Sequence, residues 1–246
     1  MQLTILGSGG AIPDGQRMQS GYLIETDDET LLIDCGSGVL HRIAQAGVAI
    51  SDIDQVLLTH HHLDHTADLL PLLKGRWLIG AGELAIHGPP RTVAFLDTLL
   101  EPFEYLRDRV SMVPHDLEVG KHTIGSMVIT AVETIHSIQC YAYRISGDDW
   151  TVTISGDTEA SPSVAELADG SDILIHDCSF PDEVTLSNHP TPSSLAAVVA
   201  PISVPTLVLS HFYPMAAGNE AAMSATIQES IEGEVVIGTD LQTFVL

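Results

Sequence analysis

Thr59-His60-His61-His62-Leu63-Asp64-His65 closes the apolar run 55–58 and precedes a helical pattern. In an extended segment, side chains two apart share a face. His60, His62 and Asp64 are therefore expected to converge, with His61 and Leu63 turned away. His65 falls where the chain enters the helix, and a turn there swings its imidazole back beside Asp64. Imidazoles and carboxylates are the donors that zinc and similar divalent ions take. Four histidines and an aspartate within six residues make a metal site the reading to carry outward.

Further ligands are expected where polar residues interrupt the ends of other apolar strands. His136 follows the run 127–135, Asp157 follows 151–154 in Ser155-Gly156-Asp157-Thr158, and His211 follows 206–209 in Leu209-Ser210-His211-Phe212. A lone strand-end histidine is more often a satisfied polar group. Three such ends offering ligand-type residues to one rim point to a dinuclear site.

Short apolar runs bounded by Gly, Asp or Pro read as strands at 3–6, 22–25, 30–33, 55–59, 83–87, 127–133, 151–154, 172–175, 206–209 and 235–237. Helical patterns fall at 39–46, 67–73, 91–106, 162–168, 192–199 and 220–231, with Ser161 a candidate cap. This order suggests an α/β or α+β sandwich, two sheets face to face with helices outside. No repeat or linker divides the chain, so residues 1–246 are expected to form one domain. Trp77, Phe103 and Tyr105 are expected in core packing, and Cys178 as a buried small residue. Gly7-x-Gly9-Gly10 lacks the spacing of a dinucleotide fingerprint and a Walker lysine, and reads as a tight loop.

Together these residues carry a resemblance. His60-x-His62-x-Asp64-His65, with His136, Gly156-Asp157-Thr158 and His211, resembles the metallo-β-lactamase superfamily, and within it the ribonuclease Z (tRNA 3′-endonuclease)-like branch. Leu6-Gly7-Ser8-Gly9-Gly10-Ala11-Ile12-Pro13, Leu32-Ile33-Asp34-Cys35-Gly36-Ser37-Gly38, Ile175-His176-Asp177-Cys178-Ser179-Phe180 and His189-x-Thr191 are similar to further elements of that branch. The resemblance spans nearly the whole chain. It implies a four-layer αββα sandwich with two divalent metals at one rim, zinc foremost and manganese or iron as alternatives. Carried over residue by residue, His60, His62 and His136 hold the first metal, Asp64, His65 and His211 the second, and Asp157 bridges them.

Two adjacent cations lower the pKa of a bridging water and supply hydroxide near neutral pH. Asp64 is expected to orient that nucleophile as well as bind metal. A phosphodiester also needs a proton for its leaving group, and the resemblance gives that role to His189. Asp177 is expected to orient a neighbouring imidazole, and Asp34 to support the His60 loop by hydrogen bonds. The branch's tRNA-binding arm has no room here, because only 21 positions separate His136 from Asp157, filled by strand, the turn Ser146-Gly147-Asp148-Asp149, and strand. A small-molecule phosphodiesterase is therefore the leading expectation. A sulfate ester or lactone hydrolase on the same site is the alternative, and tRNA 3′ processing comes after both.

Composition sets the outer bounds. Of 246 residues, 45% are hydrophobic, enough for a full core and too many for a disordered chain. Nine Lys and Arg against 33 Asp and Glu give a net charge of −24, which weighs against extensive nucleic-acid contact. Three widely spaced cysteines, Cys35, Cys140 and Cys178, argue against a disulfide framework. With no leader-like start and no membrane span, a cytoplasmic protein is expected, with a small ester as substrate and a homodimer as the assembly common in the branch.

Overall fold

A computed structural model describes residues 1–184 and 186–246. The first half of the chain supplies β1 (Gln2–Gly7), β2 (Gly21–Glu25), β3 (Thr30–Ile33), β4 (Gln55–Leu57), β5 (Leu84–Gly88) and β6 (Met112–Asp116). The second supplies β7 (Gly120–Ile124), β8 (Met127–Glu133), β9 (Tyr141–Ser146), β10 (Thr151–Ile154), β11 (Ile173–Asp177), β12 (Thr206–Ser210) and β13 (Glu234–Ile237). β14 (Thr243–Val245) then returns to pair with β1, giving sheets ordered β14-β1-β2-β3-β4-β5-β6 and β13-β12-β11-β10-β9-β8-β7. The helices are α1 (Val39–Gln45), α2 (Leu63–Thr66), α3 (Leu69–Leu78), α4 (Thr92–Leu100), α5 (Glu104–Arg107), α6 (Pro162–Ala168), α7 (Pro192–Val199) and α8 (Glu220–Gln228).

Alternation along the strands sets the layers. Ile33 and Ile175 face the inter-sheet core with Leu3, Ile5, Ile129, Tyr143 and Ile154. Their neighbour Leu32 faces outward with Val39, Ile43, Leu72 and Leu96 from α1, α3 and α4. Leu174 likewise faces Leu195, Val199, Met223 and Ile227 from α7 and α8. Burying both faces of each sheet this way yields the four-layer αββα sandwich expected. Among the described residues, no helix is long and apolar enough to cross a membrane.

Strand direction positions the site. β3 to β6 run parallel, as do β10 to β13. β1 is antiparallel to β2, which is antiparallel to β3, so β1 shares the sense of β3. β8 shares that of β10 by the same step through β9. The segments leaving β1, β3, β4, β8, β10, β11 and β12 therefore emerge at carboxyl ends, where open α/β sheets place their ligands. Two tyrosines and one backbone bond tie the sheets there. Tyr143 Oη donates to Leu58 O at 2.9 Å, Tyr22 Oη meets Ser210 Oγ at 2.9 Å, and Tyr141 N donates to Thr59 O at 2.9 Å.

Several expectations are corrected. β4 ends at Leu57 rather than Thr59, because Thr59 turns its carbonyl to Tyr141 in the other sheet. The helix expected at 67–73 starts later and runs longer, as α3, with Asp68 preceding it and His65 inside the separate turn α2. The helix expected at 91–106 breaks at a 3₁₀ turn, Glu101–Phe103, containing Pro102. Ser161 stands before α6 without a side-chain capping bond. Trp77, Phe103 and Tyr105 are not core residues: Phe103 is 38% and Tyr105 46% exposed, and Trp77 lies half-buried under the Arg109 guanidinium at 5.3 Å. Cys178 is buried, as expected.

His87 lies away from these segments, stacked on His115 at 4.7 Å and bonded through Nε2 to Gln55 Oε1 at 2.9 Å. Burial, then His115 and His122, lower it from 6.5 to about 4. The unfolded chain thus takes up this proton at a higher pH than the folded one, so stability is complete above about pH 6.5 and drains as pH falls toward 4. His87→Gln, which keeps a partner for Gln55 without titrating, should show a shallower loss over that window. Urea unfolding at several pH values measures it, and parallel losses in the two proteins would refute the assignment.

Candidate metal centre

The loop after β4 brings His60 and His62 together as expected, and adds His136 from the segment after β8. His62 Nδ1 lies 3.0 Å from His60 Nε2 and 3.1 Å from His136 Nε2. Asp157 Oδ2 stands 3.7 Å from His60 Nε2 and 3.8 Å from His136 Nε2. The second group forms beside it. His65 Nε2 and His211 Nε2 lie 3.2 and 3.3 Å from Asp157 Oδ1 and 3.3 Å from each other. Asp64 Oδ2 is 3.3 Å from His211 Nε2 and 3.7 Å from His65 Nε2. Asp157 thus offers one oxygen to each group, and the ligand atoms of each group lie within 4.8 Å of one another. His61 turns away to Thr92 and stacks on Phe95, and Leu63 is exposed, as the alternation required.

The outer ring nitrogens decide what the inner ones can do. His65 Nδ1 donates to Asp34 Oδ2 at 2.7 Å, and His136 Nδ1 to the Asn188 carbonyl at 3.3 Å. Ser179 Oγ donates to Asp177 Oδ1 at 2.6 Å, which leaves it to accept from His211 Nδ1 at 3.0 Å. Thr59 Oγ1 donates to Asp34 and so accepts from His60 Nδ1 at 3.0 Å. Each neutral imidazole then turns a lone pair inward, toward other lone pairs and carboxylate oxygens. Such facing acceptors need cations between them. Four-coordinate zinc with Zn–N of about 2.0–2.1 Å sets its ligands about 3.3 Å apart, so the donor set fits divalent ions in both chemistry and spacing.

Protonation shifts follow the same geometry. Burial, reinforced by repulsion from His65, holds His60 well below its usual value, and burial also lowers His62 and His136. Burial opposes protonation of His65 too, but Asp157 and Asp34 outweigh it and hold that imidazole well above its usual value. His211 is raised against its burial by Asp157 and Asp64. Asp157, despite burial, is held well below the carboxylate range by His211, His65 and His60.

His189 stands at the edge of both groups. Its ring stacks on His211 at 5.3 Å and meets His136 edge-on at 5.6 Å. Nδ1 donates to Asp177 Oδ2 at 2.7 Å, the orienting contact expected of Asp177. It does not cap α7, whose cap is Thr191 in a reciprocal box with Ser194. Asp34 sits outside both groups and supports the loop as expected, accepting from Thr59 N at 2.8 Å.

Other contributors escaped the sequence reading. Thr59, Ser179 and the Asn188 carbonyl fix three of the rings, and nothing in residue type marks them. Tyr213 lies 5.6 Å from the rings of both His189 and His211. Gly10 does more than turn a tight loop: a Cβ there would sit 2.5 Å from the Tyr213 ring. The one signal available was position, since each of these residues neighbours a residue already singled out.

Comparison with known proteins agrees with the geometry. A beta-lactamase superfamily domain model matches residues 29–212. The Ribonuclease Z of Mycobacterium marinum is 30% identical over 272 residues, covering 98% of this chain and 97% of that protein. The metallo-beta-lactamase fold protein YhfI from Bacillus subtilis superposes with a TM-score of 0.86 at 28% identity, over 99% of each chain. Human tRNase Z, short form, shares the fold with a TM-score of 0.81 at 21% identity, over 100% of this chain and 99% of that one. The β9–β10 hairpin, with Thr151 paired to Ser146, leaves no room for an inserted arm. The chain therefore belongs to the beta-lactamase superfamily, as an arm-less metallo-β-lactamase-fold hydrolase with ribonuclease Z homologues.

Proposed function

We propose that this hydrolase is a dinuclear-metal phosphodiesterase acting on a small ester, with His189 as its proton donor. The observation that carries the reading is the His189–Asp177 pair set against both ligand groups. Burial disfavours the charged ring, but Asp177, Asp157 and Asp64 outweigh it and raise His189 to about 9. Asp177 occupies Nδ1, so the proton available to a substrate is the one on Nε2. An alkoxide leaving group needs that proton, whereas a stabilised phenolate leaves without it.

His60, His62, His136 and Asp157 would hold one divalent ion, and Asp64, His65, His211 and Asp157 the other. Bound there, the pair would acidify a water and offset charge at the attacked phosphorus. Asp64 would bind the second ion and orient that water. A small substrate is supported by the short β9–β10 turn and by the placement of cations. None of the nine Lys and Arg falls within 8–13, 59–65, 134–140, 155–160, 178–191 or 211–219, and Arg17, on the adjoining 14–20 loop, is spent on Ser8 Oγ, Gly238 O and the Phe212 ring. A nucleic acid would ask for several phosphate-binding side chains there.

Three outcomes test the reading. His189→Ala should lower kcat/KM about 100-fold or more for a cyclic nucleotide, whose leaving group is an alkoxide. It should cost far less with bis(p-nitrophenyl) phosphate. Equal effects on both would remove His189 as the acid, and no turnover of either by zinc-loaded protein would move the assignment to a sulfate ester or lactone.

Zinc at about 100 times its Kd stabilises by about 2.7 kcal/mol. That corresponds to a rise in Tm of about 5–10 °C over chelator-treated protein of this size. Asp157→Ala, which strips one ligand from each group, should lose most of the rise. A wild-type Tm indifferent to zinc would dismiss the metal centre altogether.

His65 and His211 are held above their usual values by the carboxylates beside them, so zinc binding there would compete with protons. Calorimetric titration in buffers of differing ionisation heat should report proton release and affinity that weakens on acidification. Zinc binding without proton release would contradict the assigned protonation.

A further inference from the structure

Among the described residues, fourteen large apolar side chains are exposed, and six of them sit on or beside the segments that carry the site: Ile12, Leu63, Ile135, Ile138, Leu186 and Met215, each between 39% and 77% exposed. Five of them fall into two lips joined to the site by hydrogen bonds, and Leu63 stands apart. On one side, Glu159 N donates to Ile135 O, Asn188 N to Glu159 Oε1, and His136 Nδ1 to Asn188 O. These bonds bind the Ile135–Ile138 segment to that of Leu186. On the other, Gly10 N donates to Phe212 O at 3.0 Å and Gly10 packs on Tyr213, which joins the loop of Ile12 to that of Met215. The His189 ring lies between them, 5.6 Å from His136 on the first side and 5.6 Å from Tyr213 on the second. Leu63 stands between the ligands His62 and Asp64.

Apolar lips around a ligand cluster, in a chain with a net charge of −24, are an uncommon use of surface. The segments that carry the ligands add no Lys or Arg to balance charge beyond a single ester anion, and Arg17, on the adjoining loop, is spent on Ser8 Oγ, Gly238 O and the Phe212 ring. The cleft's aromatic floor, Phe180 against Tyr213 at 4.8 Å, continues the apolar surface inward. We infer that the substrate carries one negative charge at most at the reacting ester and an apolar group beside it, held between the two lips. The occupant is the substrate's own apolar arm, because Ile135, Ile138, Leu186 and Met215 lie on segments that carry His136, His189 and His211, and the loop of Ile12 is bonded to the last of these through Gly10 N and Phe212 O. The inference deepens the ester-hydrolase reading above and rests on it.

Binding of O-alkyl methylphosphonates to zinc-loaded protein tests the inference without turnover. These mono-anions imitate a phosphodiester, and their O-methyl, O-butyl and O-octyl members differ only in apolar length. Calorimetry should give a Kd that falls about twofold or more per methylene, so that the butyl ester binds about eightfold more tightly than the methyl. The double variant Ile138→Ser with Leu186→Ser should flatten that dependence. Val245→Ser, at the far end of β1 where Val245 pairs with Gln2, should leave it intact. One Kd for the whole series, or no binding at any length, overturns the inference. So does a double variant that turns a dimer into a monomer in sedimentation while the chain-length dependence stays, since the lips would then cover a second copy. Chain-length dependence without phosphodiester turnover keeps the lips and removes the phosphodiesterase reading. Turnover without that dependence does the reverse.

Discussion

Burying four carboxylates at the seam between two sheets is the constraint that the rest of the rim answers. Asp34, Asp64, Asp157 and Asp177 are all buried there, and an uncompensated buried ion costs several kcal/mol. Asp34 is met by Thr59 N, Thr59 Oγ1 and His65 Nδ1. Asp177 is met by Ser179 Oγ, His189 Nδ1 and, at 3.3 Å, Thr158 N. Asp64 and Asp157 receive only imidazoles, and those imidazoles have already given their outer hydrogens elsewhere. The arrangement is therefore complete on its outer side and electron-rich on its inner side. That asymmetry suits the rim to divalent cations.

Holding it costs backbone strain. Asp34 (φ 56°), Asn188 (φ 75°) and His211 (φ 62°) occupy the left-handed region that residues other than glycine rarely enter. Each such residue costs about 1–3 kcal/mol. All three lie at strand exits or loops that aim a donor at the cluster. The inter-sheet core beneath, with its fully buried tyrosines Tyr141 and Tyr143, over-determines the chain directions and keeps these residues where they are.

Much of this was legible in the sequence, for a physical reason. Buried strands must be apolar, so β4, β8, β10 and β12 stand out, and the polar residues that end each run stand out with them. His60, His62, His136, Asp157 and His211 were visible on that logic. β6, β7 and β14 were not: each is an edge strand, half solvated, carrying residues such as Pro114, His115, Lys121 and His122 that hide the alternation. The hydroxyls of Thr59 and Ser179 and the carbonyl of Asn188 were equally hidden, because their roles depend on which ring each meets in space. Trp77, Phe103 and Tyr105 misled in the opposite sense, since large aromatic residues on a helical pattern read as core until the face they occupy is known.

The few cations complete the electrostatic logic. Arg76 is buried and spends its guanidinium on the carbonyls of Ile50, Ile53 and Gly82. Arg144 does the same for Leu167 and Asp169, Arg17 donates to the Gly238 carbonyl and Ser8 Oγ, and Arg42 pairs with Asp240. These four clamp loops and helix ends, and so are withdrawn from ligand binding. A strongly negative surface field draws in divalent ions and repels polyanions. Positive charge in the cleft must then come from what the histidines and carboxylates bind, at one place and in a fixed amount. On the proposed reading, a substrate would be selected by how little negative charge it brings beyond the group those ions can neutralise, and by the fit of its apolar part to the lips.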